Sequence, residues 1–145
     1  MIFVSASYKH QDCIQLIFKE LEKNPKFLSF TETELCQYFS KIDKNCDWFK
    51  YYEDEKLAGF VAYYCNDVLT RKAFITLVLV DSKYRGLGIA KKMLTETLLE
   101  IKSKGFDECG LEVKPDNLNA ISIYQTLGFE SKEIQDNIIK MHKYM

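Results

Sequence analysis

Between Leu79 and Ala90 the sequence runs Leu-Val-Asp-Ser-Lys-Tyr-Arg-Gly-Leu-Gly-Ile-Ala, and two of the chain's six glycines, Gly86 and Gly88, stand two positions apart within it. Glycine lets a backbone take positive φ and lets a ligand approach the main chain closely. Lys83 and Arg85 flank these glycines, Lys91 and Lys92 follow, and no acidic residue occurs from Ser82 to Thr95. Lysines in the first turn of a helix oppose its dipole. The pattern therefore asks for a local anion, held by the unpaired N–H groups that open a helix. A plain strand-to-helix turn with solvated lysines is the alternative. Two phosphate motifs fail on spacing: the dinucleotide fingerprint needs glycine where Lys91 stands, and the Walker sequence needs a Gly-Lys-Ser/Thr that is absent.

The elements that would position this turn are legible in the apolar periodicity. Ile2–Ser5 is short and branched and predicts a strand. Ile14, Ile17, Phe18 and Leu21 recur at helical spacing up to Asn24-Pro25, where proline stops the helix. Thr31-Glu-Thr-Glu34 is a capping box, and Leu35, Tyr38, Phe39 and Ile42 form the stripe that follows. Trp48–Glu53 and Leu57–Cys65, joined by Asp54-Glu55-Lys56, predict a hairpin. Arg71–Val80 is apolar on both alternating faces and predicts a central strand covered on both sides. Leu87–Lys104 returns to helix period with Ala90, Leu94, Leu98 and Ile101 in register, and Gly105 ends it. Cys109–Val113 predicts a strand, Asn117–Leu127 a helix closed by Gly128, and the tail from Ser131 one or two further strands. The order β-α-α-β-β-β-α-β-α-β-β describes one α/β domain over residues 1–145. Its mixed sheet would have about six or seven strands, with about four helices beside it and a right-handed parallel crossover from the third run to Val113.

Composition narrows the partners. Twenty Lys plus Arg against 21 Asp plus Glu give a net charge of −1, so no global field favours nucleic acid or an anionic membrane. Any anion must be held locally. The N-terminus lacks the basic flank and sustained apolar core of a signal peptide, and the longest apolar stretch, Ala73–Val80, is too short to span a bilayer. Cys13, Cys36, Cys46, Cys65 and Cys109 are odd in number and scattered, which fits reduced cytoplasmic thiols. With His10 and His142 as the only histidines, no metal-ligand spacing is present, and no cysteine is paired with a histidine base.

Arg85-Gly-Leu-Gly-Ile-Ala90 resembles the Q/R-x-x-G-x-G/A pyrophosphate motif of the GNAT superfamily of N-acetyltransferases. A second block strengthens the resemblance. Leu111-Glu-Val113, Asn117 with Ala120, and Tyr124 with Gly128-Phe129 are similar to that family's L-x-V, N-x-x-A and Y-x-x-x-G-F, in the same order. The resemblance is firm over Ala73–Phe129 and rests on element order elsewhere. It implies acetyl-CoA as co-substrate, no metal, and direct transfer of an acetyl group to a primary amine in a ternary complex. A non-catalytic acyl-CoA-binding or partner-binding module that keeps the fold is the alternative. It also implies that the two strands flanking the turn-bearing helix splay apart. The main chain of Val78, Leu79 and Val80 would then pair with pantetheine and polarise the thioester, while the amides of Arg85, Gly86, Leu87, Gly88, Ile89 and Ala90 would cradle the pyrophosphate.

Asn117 reads equally as a helix N-cap and as a cofactor contact. Tyr124, a core residue by helical position, matches the family's residue that protonates departing CoA thiolate. A phenol of pKa about 10 can supply a proton to a thiolate whose thiol has pKa about 8.5. The base is open. Some family members carry a glutamate on the strand before the turn, and Arg71–Val80 has none. Glu112 coincides with a glutamate that looks like the base of bacterial ribosomal-protein N-acetyltransferases; it also reads as an exposed strand residue, and water or a relay through Tyr63 or Tyr64 is a further route. Expected acceptors are a small-molecule amine or a protein N-terminal or lysine amine, handled by a cytoplasmic monomer or homodimer.

Overall fold

The computed structural model of the chain describes residues 7–145, so the strand expected at Ile2–Ser5 lies outside the described residues. Four helices and six strands follow in order: α1 (Gln11–Lys23), α2 (Glu32–Asn45), β1 (Asp47–Glu53), β2 (Lys56–Tyr64), β3 (Lys72–Val80), a single 3₁₀ turn (Ser82–Tyr84), α3 (Ile89–Ser103), β4 (Glu108–Val113), α4 (Leu118–Thr126), β5 (Glu130–Gln135) and β6 (Ile138–Tyr144). The sheet order is β1-β2-β3-β4-β6-β5. Among the described residues the β3–β4 pair alone is parallel, as the β-α-β crossover requires; the other pairs are antiparallel. The tail forms two strands, not one.

Local chemistry accounts for the boundaries. Thr31 and Glu34 close the capping box reciprocally, with Thr31 N donating to Glu34 Oε1 and Glu34 N to Thr31 Oγ1. Asp54 and Glu55 both adopt left-handed φ, 48° and 67°, as do Asp136 and Asn137. Two consecutive residues of this kind make the tight turn whose twist suits a hairpin. Lys56 already belongs to β2. Helix α3 begins at Ile89 rather than Leu87, because Gly86 and Gly88 take φ of 81° and 76° and hold the chain out of helical geometry until Gly88 has passed.

The two sheet faces carry separate cores. On one, α3 buries Ile89, Met93, Leu94, Leu98 and Ile101 against Val61, Ala73, Ile75, Leu111 and Val113. On the other, α1 and α2 bury Ile14, Ile17, Phe39 and Ile42 against Phe60, Ala62, Leu77 and Leu79. Ala73 and Ile75 thus face α3, whereas Leu77 and Leu79, of the same parity, face α1 and α2. The register explains the switch: Ala62 pairs with Leu77 but Tyr63 with Ile75, so Thr76 is an extra residue in β3. Such a bulge bends its strand and re-aims the side chains beyond it. The Tyr38 hydroxyl of α2 meets Thr76 Oγ1 at 3.0 Å and holds the bulge from outside.

Among the described residues, no helix is long and apolar enough to cross a membrane, and no group of three or more His, Cys, Asp or Glu is placed to hold a metal. All five cysteines are free, with Cys13, Cys46 and Cys109 buried.

Candidate active site

The Thr76 bulge decides where the sheet opens. The parallel ladder runs from Lys72–Glu108 to Ile75–Leu111 and stops there. Beyond it β4 continues to pair with β6 at Glu112 and Val113, and β3 continues to pair with β2 through Val80. Among the described residues, the edge of β3 from Thr76 to Val80 that faces β4 is therefore without a ladder partner. A cavity of about 610 Å³ occupies the opening. Buried backbone polar groups need partners, so an unladdered edge beside a cavity is a row of donors and acceptors available to a ligand.

Val78, Leu79 and Val80 line this cavity, as do Arg85, Gly86, Gly88, Ile89 and Ala90 of the turn, Asn117 at the start of α4 and Tyr124 within it. The residues fit an anionic, amide-bearing cofactor such as CoA on two grounds. Gly88 is the N-cap of α3 and supplies no side-chain oxygen, leaving the first-turn N–H groups uncapped at the positive end of the helix. A Cβ built on Gly86 or Gly88 would meet nothing within 4 Å, so the turn borders open space. Leu87 is outside the lining and 70% exposed. Glu112 is also outside it; the residue is exposed, one step past the last β3–β4 pair. Leu111 and Val113 point into the α3 core, so by strand alternation Glu112 faces the side of the sheet that carries α1 and α2.

Asn117 caps α4, its Oδ1 accepting from Ala120 N at 3.2 Å, while also lining the cavity. The Tyr124 ring packs edge-on against Phe129 at 5.9 Å, and its hydroxyl makes no hydrogen bond among the described residues. Burial alone pushes its pKa up to about 12, which keeps the phenol protonated at neutral pH. Asp81, 7% exposed, ends the strand. Its Oδ1 accepts from Lys83 N and its Oδ2 from Lys19 Nζ at 2.9 Å. Burial raises the Asp81 pKa, but the Lys19 ammonium and the Lys83 N–H outweigh that and hold it below the ordinary value.

The aromatic hairpin does not reach the cavity. Tyr63 is buried beneath Lys104, and the Tyr51 hydroxyl donates to Glu53. Tyr52 donates to Asp12, and Tyr64 packs on the α1–α2 core. None of the four lines the opening. Glu20 of α1, and Asn24 and Phe27 in the chain just after it, line it instead. Glu20 is the one with a trace in the sequence, a carboxylate three and four positions after the apolar Ile17 and Leu16 on the buried stripe of α1.

The sequence model of the acetyltransferase (GNAT) family matches residues 12–129. An uncharacterized N-acetyltransferase of Methanocaldococcus jannaschii is 30% identical over 138 residues, 91% of this chain and 61% of that protein; the chain thus spans about three fifths of that curated relative. The crystal structure of the ribosomal-protein-S18-alanine N-acetyltransferase from Escherichia coli superposes with a TM-score of 0.72 at 20% identity, over 95% of this chain and 91% of the other. The PaiA N-acetyltransferase of Thermoplasma acidophilum, solved in complex with coenzyme A, superposes with a TM-score of 0.65 at 22% identity, over 79% of this chain and 72% of the other. The last two likenesses establish the fold.

Proposed function

Because the chain belongs to the acetyltransferase (GNAT) family, we propose that it transfers an acetyl group from acetyl-CoA directly to a primary amine in a ternary complex. The observation that carries this reading is the end of the β3–β4 ladder at Ile75–Leu111, which opens an unladdered β3 edge next to the uncapped N-terminus of α3. Acetyl-CoA supplies the activated thioester. Leu79 spends its main-chain groups on Phe60 of β2, so Val78 and Val80, whose groups alternate toward the opening, pair with the pantetheine amides, and the Val80 N–H stabilises the oxyanion, a contribution of about 2.7–4 kcal/mol where such a donor has been removed. The amides of Arg85, Gly86, Leu87, Gly88, Ile89 and Ala90 hold the pyrophosphate, with Lys91 beside them. Asn117 fixes the start of α4 and so the bearing of Tyr124 on the cavity.

Tyr124 keeps its proton at neutral pH and gives it to the departing thiolate. Glu112, exposed and one residue past the end of the β3–β4 ladder, takes the proton that the acceptor ammonium must lose before it attacks, directly or through water. The acceptor is a small-molecule amine or a protein N-terminal or lysine amine. The name of the Escherichia coli neighbour makes peptides with an N-terminal alanine the first acceptors to try. The reading places the chain in the cytoplasm, as a monomer or homodimer.

Hydrogen exchange with and without CoA tests the site. Protection is expected within Val78–Val80 and Arg85–Ala90 and not in the β5–β6 hairpin. CoA binding that leaves the turn unprotected would overturn the assignment.

A further inference from the structure

Arg85 is not the freely standing cation that its place beside the glycines suggests. Its Nη2 donates to Glu20 Oε1 at 2.6 Å, and its Nε donates to the Val80 carbonyl at 3.0 Å. One guanidinium thereby joins α1, the end of β3 and the glycine turn. Glu20 is 8% exposed and sits on the stripe where α1 otherwise buries Cys13, Ile14, Leu16 and Ile17. A buried carboxylate is costly unless paired, and an apolar residue of similar volume commonly serves stability as well or better. The ion pair therefore calls for a reason other than stability. Its surroundings supply one. On the same side of α1, Lys19 reaches Asp81 and Lys23 reaches Ser82 Oγ, so with Glu20 on Arg85 one helix side contacts three of the five residues between β3 and Gly86. The segment after that helix carries Asn24 and Phe27 into the same cavity.

We propose that Glu20 is a positioning residue for the cofactor turn: it fixes the Arg85 guanidinium on the Val80 carbonyl, so that the open end of β3 and the glycine turn share one geometry. The proposal rests on the reading that this turn holds the pyrophosphate of CoA. Two consequences of losing Glu20 oppose each other. Arg85 would lose its counter-ion and attract an anion more strongly, but its side chain is 47% exposed and that gain is screened by solvent. The turn would also lose its anchor, and ordering it would fall to the ligand. The loss of order dominates. Arginine has five donors, so the two spent on Val80 and Glu20 orient the plane and leave others for phosphate.

Calorimetric titration with CoA of the unaltered chain, Glu20→Gln, Arg85→Gln and the double variant tests this, with thermal unfolding of each alongside. The Kd for CoA should rise about tenfold in Glu20→Gln, a coupling of the size seen between linked sites. It should rise no further when Glu20→Gln is added to Arg85→Gln, because Glu20 acts through Arg85. A residue that merely props α1 would weaken both backgrounds equally. Glu20→Asp keeps the charge and shortens the reach; should Glu20→Gln not fold, it must weaken CoA binding only where Arg85 is present. A Kd in Glu20→Gln equal to or tighter than that of the unaltered chain, or full additivity in the double variant, overturns the proposal. Failure of the unaltered chain to bind CoA overturns the reading beneath it as well.

Discussion

Alanine at Gly88 and alanine at Gly105 form a matched pair that separates folding from ligand binding. Both glycines bound the same helix, one at each end of α3, with φ of 76° and 84°, and a Cβ at either would meet nothing within 4 Å. Neither substitution creates a clash, so each costs only the left-handed conformation of a residue with a Cβ, about 1–2 kcal/mol. For a chain of this size that lowers the unfolding midpoint by roughly 3–8 °C, nearly equally for the two variants. Binding should not follow the same pattern. The methyl at Gly88 stands beside the uncapped first turn of α3, where the pyrophosphate would approach the amides. Losing one charge-assisted hydrogen bond there costs about 1.5–3 kcal/mol, which weakens the Kd for CoA about tenfold to a hundredfold. Gly105→Ala should leave the Kd unchanged. Calorimetric titration with CoA, at a temperature where both variants are folded, reads the difference. Equal Kd values in the two variants would refute the placement of the anion at this turn.

Tyr124→Phe keeps the ring against Phe129 and removes a hydroxyl that makes no hydrogen bond among the described residues. It should leave the unfolding midpoint and CoA affinity nearly unchanged and lower kcat about 100-fold or more, and an unchanged kcat would sink the acid role. Since burial sets the Tyr124 pKa at about 12, its ionisation should cause no loss of rate between about pH 8 and about pH 10, the ordinary range for a phenol. Glu112→Gln should flatten the acidic limb of the rate profile, whereas a retained limb would assign the base elsewhere. Asp81→Asn removes a carboxylate whose folded pKa is depressed. The stability that the charge contributes is fully present above the unfolded pKa and lost as pH falls through the folded one. The variant should be about 1–3 kcal/mol less stable than the unaltered chain at neutral pH, a gap that denaturant titration should find closing in acid. Gly59→Ala would place a Cβ 2.8 Å from the Leu79 carbonyl oxygen. It should destabilise the chain by about 1–3 kcal/mol as β2 and β3 are forced apart; an unchanged denaturation midpoint would contradict the close packing of those strands.

Much of this architecture is written locally. The Thr31–Glu34 box, the Asp54-Glu55 turn, and the glycines that close α3 and α4 act within a few residues of themselves, so periodicity and turn chemistry reveal them. The turn at Gly86 and Gly88 is visible for the same reason. The Thr76 bulge is not. Ala73–Val80 reads as one apolar strand with a single threonine in it, and the extra residue exists only relative to β2, a property of pairing. The opening of the sheet, which follows from that bulge, is hidden with it. Arg85 was legible as a basic residue at an anion turn, but its partner lies 65 residues away on α1, and only the misplaced carboxylate at Glu20 hints at it. Glu112 and Leu87 match motif positions yet stand outside the cavity lining, because a motif specifies the backbone site and not the direction of every side chain on it.

Turnover decides between an enzyme and a binding module. Acetyl-CoA is incubated with the protein and a panel of small amines and N-terminal peptides, and released CoA thiol and acetylated amine are quantified together. Direct acetyl transfer requires equal amounts of the two products with at least one amine, suppressed in Tyr124→Phe, and no acetylated cysteine in enzyme quenched during the reaction. Tight acetyl-CoA binding with no acetylated amine from any member of the panel would contradict it and favour a binding module that keeps the fold without the reaction.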